Sequence, residues 1–275
     1  MSSTQKALLK KLVVTAAFFG IGVFYLIPYI WLVLTGFRMT VDTLAIPPRF
    51  IFAPTFSGFK YIFGPVRFQW YLLNSFVIAS IATFVVILVA APAAYALVNL
   101  GIRAKTFLYS IIVARMIPAV SIVVPIYLMA IKLGLLDTYQ ILIAIYATVN
   151  LPFAIWMMRA FFRDVPPSLR EAAIIDGCSE FRVFRSVFMP ISAGGALATA
   201  VFVFIACWNE LLFALVLTNS KAATAPLAMV NFRTDWGIQW NAIGAGAVVL
   251  STPVIVFAVA MQRYLIRGMT MGSVK

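Results

Sequence analysis

Six stretches of this chain run for about twenty residues or more almost without charge, and no other feature restricts its fold so strongly. They cover residues 12–37, 68–102, 106–131, 138–158, 186–209 and 238–262, the third broken only by Arg115. A helix of about 20 apolar residues is what crosses roughly 30 Å of hydrocarbon. Within a bilayer every backbone N–H and C=O must find a partner inside the protein, which leaves helices or a closed barrel. These runs are too long for barrel strands, so the expected fold is an all-α membrane protein with six transmembrane helices. With 64% hydrophobic and only 11% charged residues, the chain lies outside the range of soluble domains.

An even number of spans puts both termini on one side, and Lys and Arg placement says which. One set of segments carries Lys6, Lys10, Lys11, Arg103, Lys105, Arg159, Arg163, Arg170, Arg182, Arg185, Arg263, Arg267 and Lys275. The opposite set carries fewer: Arg38, Arg49, Lys60, Arg67, Lys132, Lys221 and Arg233. The excess predicts cytoplasmic termini, and it accounts for most of the +13 net charge without a nucleic-acid partner. The first run is too long for a cleavable signal and reads as an uncleaved span. With no His and two separated Cys, no zinc site is expected, and Cys178 and Cys207 fall in a loop and a span, where a disulfide is implausible.

Two connecting segments are long. Residues 38–67 contain Pro47, Pro48, Pro54 and Gly58 and read as an ordered loop or a short amphipathic piece on the extracytoplasmic side. The other, residues 159–190 on the cytoplasmic side, contains a hairpin at about 166–190 that reads as helix, turn, helix. Pro166-Pro167 stops the preceding helix, and Ser168-x-x-Glu171 has capping-box spacing, predicting a helix from Leu169. Gly177 can take the left-handed conformation that ends it, and Ser179 with Glu180 can cap a second helix to Pro190. Leu169, Ala172, Ala173 and Asp176 share one face of the first helix, and the adjacent alanines allow close approach of another backbone.

Single residues in the spans carry less information. A charge at Arg115 costs about 2.5–3.5 kcal/mol on insertion scales, so it faces protein, a cavity or the interface by snorkelling. Glu210 suits an interfacial anchor as well as a place beside a solute path. Pro92, Pro118 and Pro125 mark candidate kinks, tolerable where neighbours or a cavity satisfy the freed carbonyls. Nothing in the chain can supply energy: there is no glycine-rich phosphate loop and no set of intramembrane acids and histidines to relay protons.

The spacing of Glu171, Ala172, Ala173 and Gly177, with the ending Val187-Phe-Met-Pro190, resembles the EAA motif of permease subunits of binding-protein-dependent ABC importers. Val and Met replace the family's usual Ile and Leu. Trp208-Asn209-Glu210, Asn74-Ser75 and Arg115-Met-Ile-Pro118 are similar to the carbohydrate branch, which includes the second maltose permease subunit and the trehalose and glycerol-phosphate permeases. So is the tail from Gln262 to Lys275, which is close to QRxLxxGLTxGxVK with Met269 in place of Leu.

The resemblance implies a single permease domain over 1–275 of the type I importer fold, with a family core about 68–264 and a tail over 263–275. It implies a multi-pass protein of a bacterial or archaeal cytoplasmic membrane, in contact with lipid. Its partners would be a homologous second permease, two copies of a cytoplasmic ATPase and an extracytoplasmic solute-binding protein. The hairpin residues Ser168, Glu171, Ala172, Ala173, Asp176 and Gly177 would dock into the ATPase, with Glu171 pairing with a basic residue and Gly177 making the turn. Gly268, Thr270, Gly272 and Lys275 would reach toward the ATPase dimer, and Arg115, Asn209 and Glu210 are candidates for the substrate pathway. The chain would bind no cofactor of its own, ATP and Mg belonging to the ATPase, and would not be an enzyme. A self-sufficient secondary transporter or channel is the competing class.

Overall fold

A computed structural model describes residues 3–47, 49–100, 109, 113, 116–234 and 237–270. Four of its helices are long and apolar enough to cross a membrane, at Lys11–Gly36, Phe68–Asn99, Tyr139–Arg163 and Trp240–Gln262, and a fifth span results if one sharply bent pair counts as a unit. Beyond helices, the described residues contain one two-residue antiparallel pairing, Arg233–Thr234 with Gly237–Ile238. The third expected span lies partly outside the described residues. Its second half is a helix at Ala119–Lys132, with Pro118 standing at the N-cap as a stop and not as a kink.

Helix ends differ from the hydropathy edges for a simple reason: a span's apolar run ends at the headgroups, but its backbone stays helical until something stops it. Tyr139–Arg163 thus continues past Met158 through Arg159 and Arg163 to the turn before Pro166. The last helix likewise runs over Trp240–Thr270.

The chain divides into two compact units, residues 1–68 with 231–251 and residues 69–230 with 252–275. In the first, α1 (Ser3–Gly36) exposes nearly all of its apolar length, as a helix facing lipid does. Its end meets the start of the last helix through paired glycines. A Cβ on Gly244 would lie 2.4 Å from the Gly36 nitrogen, so only glycine permits the crossing. The loop that follows is ordered by α2 (Thr40–Thr43) and α3 (Ser57–Phe63). Arg38 is buried there with its guanidinium 4.6 Å from the ring centroids of both Trp31 and Phe52.

In the second unit, α4 (Phe68–Asn99), α5 (Ala119–Lys132) and α6 (Tyr139–Arg163) precede a hairpin of α7 (Pro167–Ile175) and α8 (Glu180–Ile191), then α9 (Ala193–Trp208), α10 (Leu212–Leu217) and α11 (Ala225–Val230). The expected straight span over 186–209 is instead two helices bent by 78° at Ser192. Phe184–Phe188 winds as a π-helix, Pro190 has no N–H to return to the Ser186 carbonyl, and Gly194-Gly195 follows the break. Mean hydropathy averages over all three features. Beyond the bend α9 packs closely on α6: a Cβ at Gly195 would meet the Phe161 ring at 2.2 Å, beside a core of Met157, Phe161 and Ala198.

The segment between α10 and α11 is held by side chains from distant elements. Asn74 donates to the carbonyls of Lys221 and Ala223, both at 2.9 Å, and accepts from the Tyr139 hydroxyl, while Ser75 accepts from the Ala225 N–H at 2.8 Å. The Asp137 carboxylate accepts from the backbone N–H groups of Asn219, Ser220, Lys221 and Ala222 at 3.0–3.2 Å. Burial alone would raise its pKa, but those four donors outweigh it and hold the group at about 2.

Because the folded pKa is below the ordinary 3.8, the clamp's stabilisation is complete above that value and disappears as pH falls toward about 2. Asp137→Asn is therefore expected to destabilise the protein near neutral pH by about 2 kcal/mol. Thermal unfolding in detergent checks this: the gap between variant and wild type should narrow as pH falls through that window, and a constant gap contradicts the assignment.

Candidate functional site

The hairpin α7–α8 is the one polar excursion that the sequence singles out, and its local geometry follows from its residues. α7 starts at Pro167, two positions earlier than the capping-box spacing predicts. A proline at the first helical position has its φ already set and no N–H to leave unsatisfied, so it wins over Ser168 as the starting point. Ser168 then lies inside the first turn, and the N-cap residue, Pro166, makes no side-chain bond. The capping box does not form, and Glu171 makes no hydrogen bond or ion pair among the described residues.

Gly177 ends α7 with φ +82°. Its N–H donates to the Ile174 carbonyl at 3.0 Å and that of Cys178 to Ala173 at 3.0 Å, the bond pair of a Schellman turn. Ser179 opens α8 and accepts the Arg182 N–H at 3.4 Å. The two helices are joined by charge. The Arg170 guanidinium donates to both Glu180 oxygens, through Nη2 to Oε1 and through Nε to Oε2 at 3.3 Å, and the Tyr95 hydroxyl of α4 donates to Oε2 at 2.6 Å. Below this network Tyr95, Phe162, Phe184 and Phe188 form an aromatic cluster, with the Tyr95 and Phe188 centroids 4.9 Å apart.

The opposite face is open. No residue of α7 is buried, Ile175 is 85% exposed, and Glu171, Ala172 and Asp176 all face outward. The short helix is thus anchored on its inward side through Arg170 and shows Glu171, Ala172 and Asp176 on the other.

The remaining candidates are placed differently. The Asn209 amide donates to the Ile205 carbonyl at 2.8 Å on its own helix. Glu210 accepts the N–H of Phe213 with both oxygens at 3.1 Å and that of Ala214 at 3.4 Å, so its carboxylate caps α10. Trp208 is buried and stacked on Phe204 with centroids 5.7 Å apart. Gly268 and Thr270 belong to the helix Trp240–Thr270, whereas Arg115, Gly272 and Lys275 lie outside the described residues. Sequence reasoning missed Tyr95 and the partnership of Arg170 with Glu180. The i, i+3, i+7 spacing of Phe181, Phe184 and Phe188 was the signal of an aromatic face there, but nothing in sequence pointed to Tyr95.

Fold and site together define a multi-pass membrane protein that presents a polar helical hairpin between two of its membrane elements. The model of the family described as the inner membrane component of binding-protein-dependent transport systems matches residues 86–271. A probable ABC transporter permease of Sinorhizobium fredii is 57% identical over 275 residues, covering 100% of this chain and 99% of that one. The permease of a trehalose transport system in Mycobacterium tuberculosis is 37% identical over 257 residues, covering 91% and 92%. A chain from the crystal structure of a bacterial ABC transporter that imports alginate superposes with a TM-score of 0.76 over 96% of this chain and 98% of its own, at 21% identity, which shows the shared fold. The chain belongs to the binding-protein-dependent inner membrane component family of ABC transport permeases.

A Cβ at position 177 meets nothing within 4 Å, so substitution there tests backbone conformation alone. Gly177→Val is expected to weaken the turn by about 1–2 kcal/mol, and Gly177→Asn by less. Hydrogen exchange at Cys178 should accelerate roughly tenfold in the valine variant, and unchanged protection contradicts the turn's role.

Proposed function

We propose that this chain is a permease subunit of an ATP-driven importer for a carbohydrate delivered by an extracytoplasmic binding protein. The carrying observation is the hairpin, whose outward face holds Glu171 unpaired among the described residues while its inward face is fixed to the bundle. Support for a sugar comes from the trehalose system's permease, which matches along nearly its whole length. On this reading the chain has six spans and cytoplasmic termini, forms a single permease domain, and pairs with a second, homologous permease in a bacterial or archaeal membrane. Two ATPase copies below bind ATP and Mg, and this chain binds neither.

The mechanism is mechanical. Closure of the ATPase dimer pulls on Ser168, Glu171, Ala172, Ala173, Asp176 and Gly177, and the hairpin transmits that displacement to the bundle, exchanging inward-open for outward-open states. The terminal residues Gly268, Thr270, Gly272 and Lys275 provide a second contact with the ATPase. The pathway assignment of Arg115, Asn209 and Glu210 is part of the same proposal, with Glu210 acting through the helix it caps.

Glu171→Ala is expected to remove a charged interfacial contact worth about 2 kcal/mol or more, weakening ATPase docking roughly thirtyfold or beyond while leaving membrane insertion intact. Co-purification of the ATPase and solute-dependent ATP hydrolysis in proteoliposomes check it. Wild-type retention and turnover in this variant contradict the docking role.

A further inference from the structure

We infer that Glu180 is a positioning residue that makes the hairpin one rigid body and fastens it to the end of α4, so that displacement at the hairpin reaches α4 directly and α9 through a hinge. The inference rests on the docking reading above, and it assigns the route by which that motion enters the membrane.

Three observations carry it. First, both oxygens of Glu180 are engaged, by Arg170 from the other helix of the hairpin and by the Tyr95 hydroxyl from α4. A lone exposed ion pair contributes little, but a carboxylate shared by a guanidinium fork and a phenol fixes three elements at once. Capping does not explain Glu180, because the Ser179 side chain already takes the first-turn N–H.

Second, the attachment to α4 is local. It lies where Tyr95 meets Phe184 and Phe188, at centroid distances of 5.4 and 4.9 Å. Further along α4, residues Phe84, Leu88 and Pro92 face Phe181 and Met189 across an apolar groove of about 410 Å³. The hydrogen bond to α4 thus lies at one end of the contact, and an apolar groove runs beside the next turns.

Third, the link to α9 is compliant by construction. The π-wound segment Phe184–Phe188, the missing N–H of Pro190 and the 78° break at Ser192 follow one another. Each removes or weakens helical bonds at the place where a straight helix would transmit force. The hairpin therefore has a stiff connection to α4 and a bending connection to α9.

The test uses the assembled importer with its ATPase and binding protein. Glu180→Gln and Tyr95→Phe are each expected to keep the ATPase bound at wild-type stoichiometry yet lower solute moved per ATP at least about fivefold. Nitroxides at positions 175 and 100 should show a broadened distance distribution in both variants, and Arg170→Glu with Glu180→Arg should restore much of the ratio. Wild-type transport per ATP with an unbroadened distribution in both variants overturns the inference. Loss of the ATPase from Glu180→Gln also overturns it, by placing Glu180 in the docking face itself. Glu171→Ala in parallel reports on the docking reading separately: retention of the ATPase in that variant removes the reading, whatever Glu180 does.

Discussion

An unpaired peptide group in hydrocarbon costs several kcal/mol, and that penalty orders this structure. It forces the apolar lengths into helices, confines departures from helical bonding to places where other groups take over, and expels polar side chains to helix ends. The irregularities that survive are informative for that reason. The capped start of α10 and the clamped segment 218–225 each depart from regular helix with identifiable partners supplied by Glu210, Asp137, Asn74 and Ser75. The largest polar departure, α7–α8, holds itself together through Arg170, Glu180 and Tyr95.

That separation of tasks within the hairpin makes it useful. Its inward side is committed to the bundle by charge and by aromatic packing, whereas its outward side leaves Glu171, Ala172 and Asp176 uncovered. A surface of this kind costs little to present to solvent and leaves a single buried or paired contact to a partner to decide affinity. On the proposed docking reading, the same division gives the chain what ATP-driven work asks of it: stiffness between the hairpin and the spans.

Much of this was legible in the sequence, and the exceptions have physical causes. Hydropathy located the four long apolar helices at Lys11–Gly36, Phe68–Asn99, Tyr139–Arg163 and Trp240–Gln262 because burial in lipid depends on composition, and Gly177 and Ser179 marked the turn because left-handed backbone and N-caps restrict residue type. The start of α7 was misplaced because the capping-box spacing was followed at Ser168, although Pro167 suits the first helical position through its preset φ and missing N–H. The 78° bend was invisible to hydropathy although Pro190 and Gly194-Gly195 stood in the sequence. The Tyr95–Glu180–Arg170 network spans 85 residues of sequence, and such a pairing belongs to tertiary structure alone. Glu210 read equally as an anchor or as a pathway residue until its carboxylate was found on the amides of Phe213 and Ala214.

Site-directed cross-linking in the intact complex tests the central claim most directly. With Cys178 and Cys207 replaced by serine, Ile175→Cys places a thiol on the exposed face of α7. The account predicts one cross-linked product, with the ATPase subunit, whose yield changes when ATP closes the dimer. No product with the ATPase, or a product with the solute-binding protein across the membrane, contradicts it.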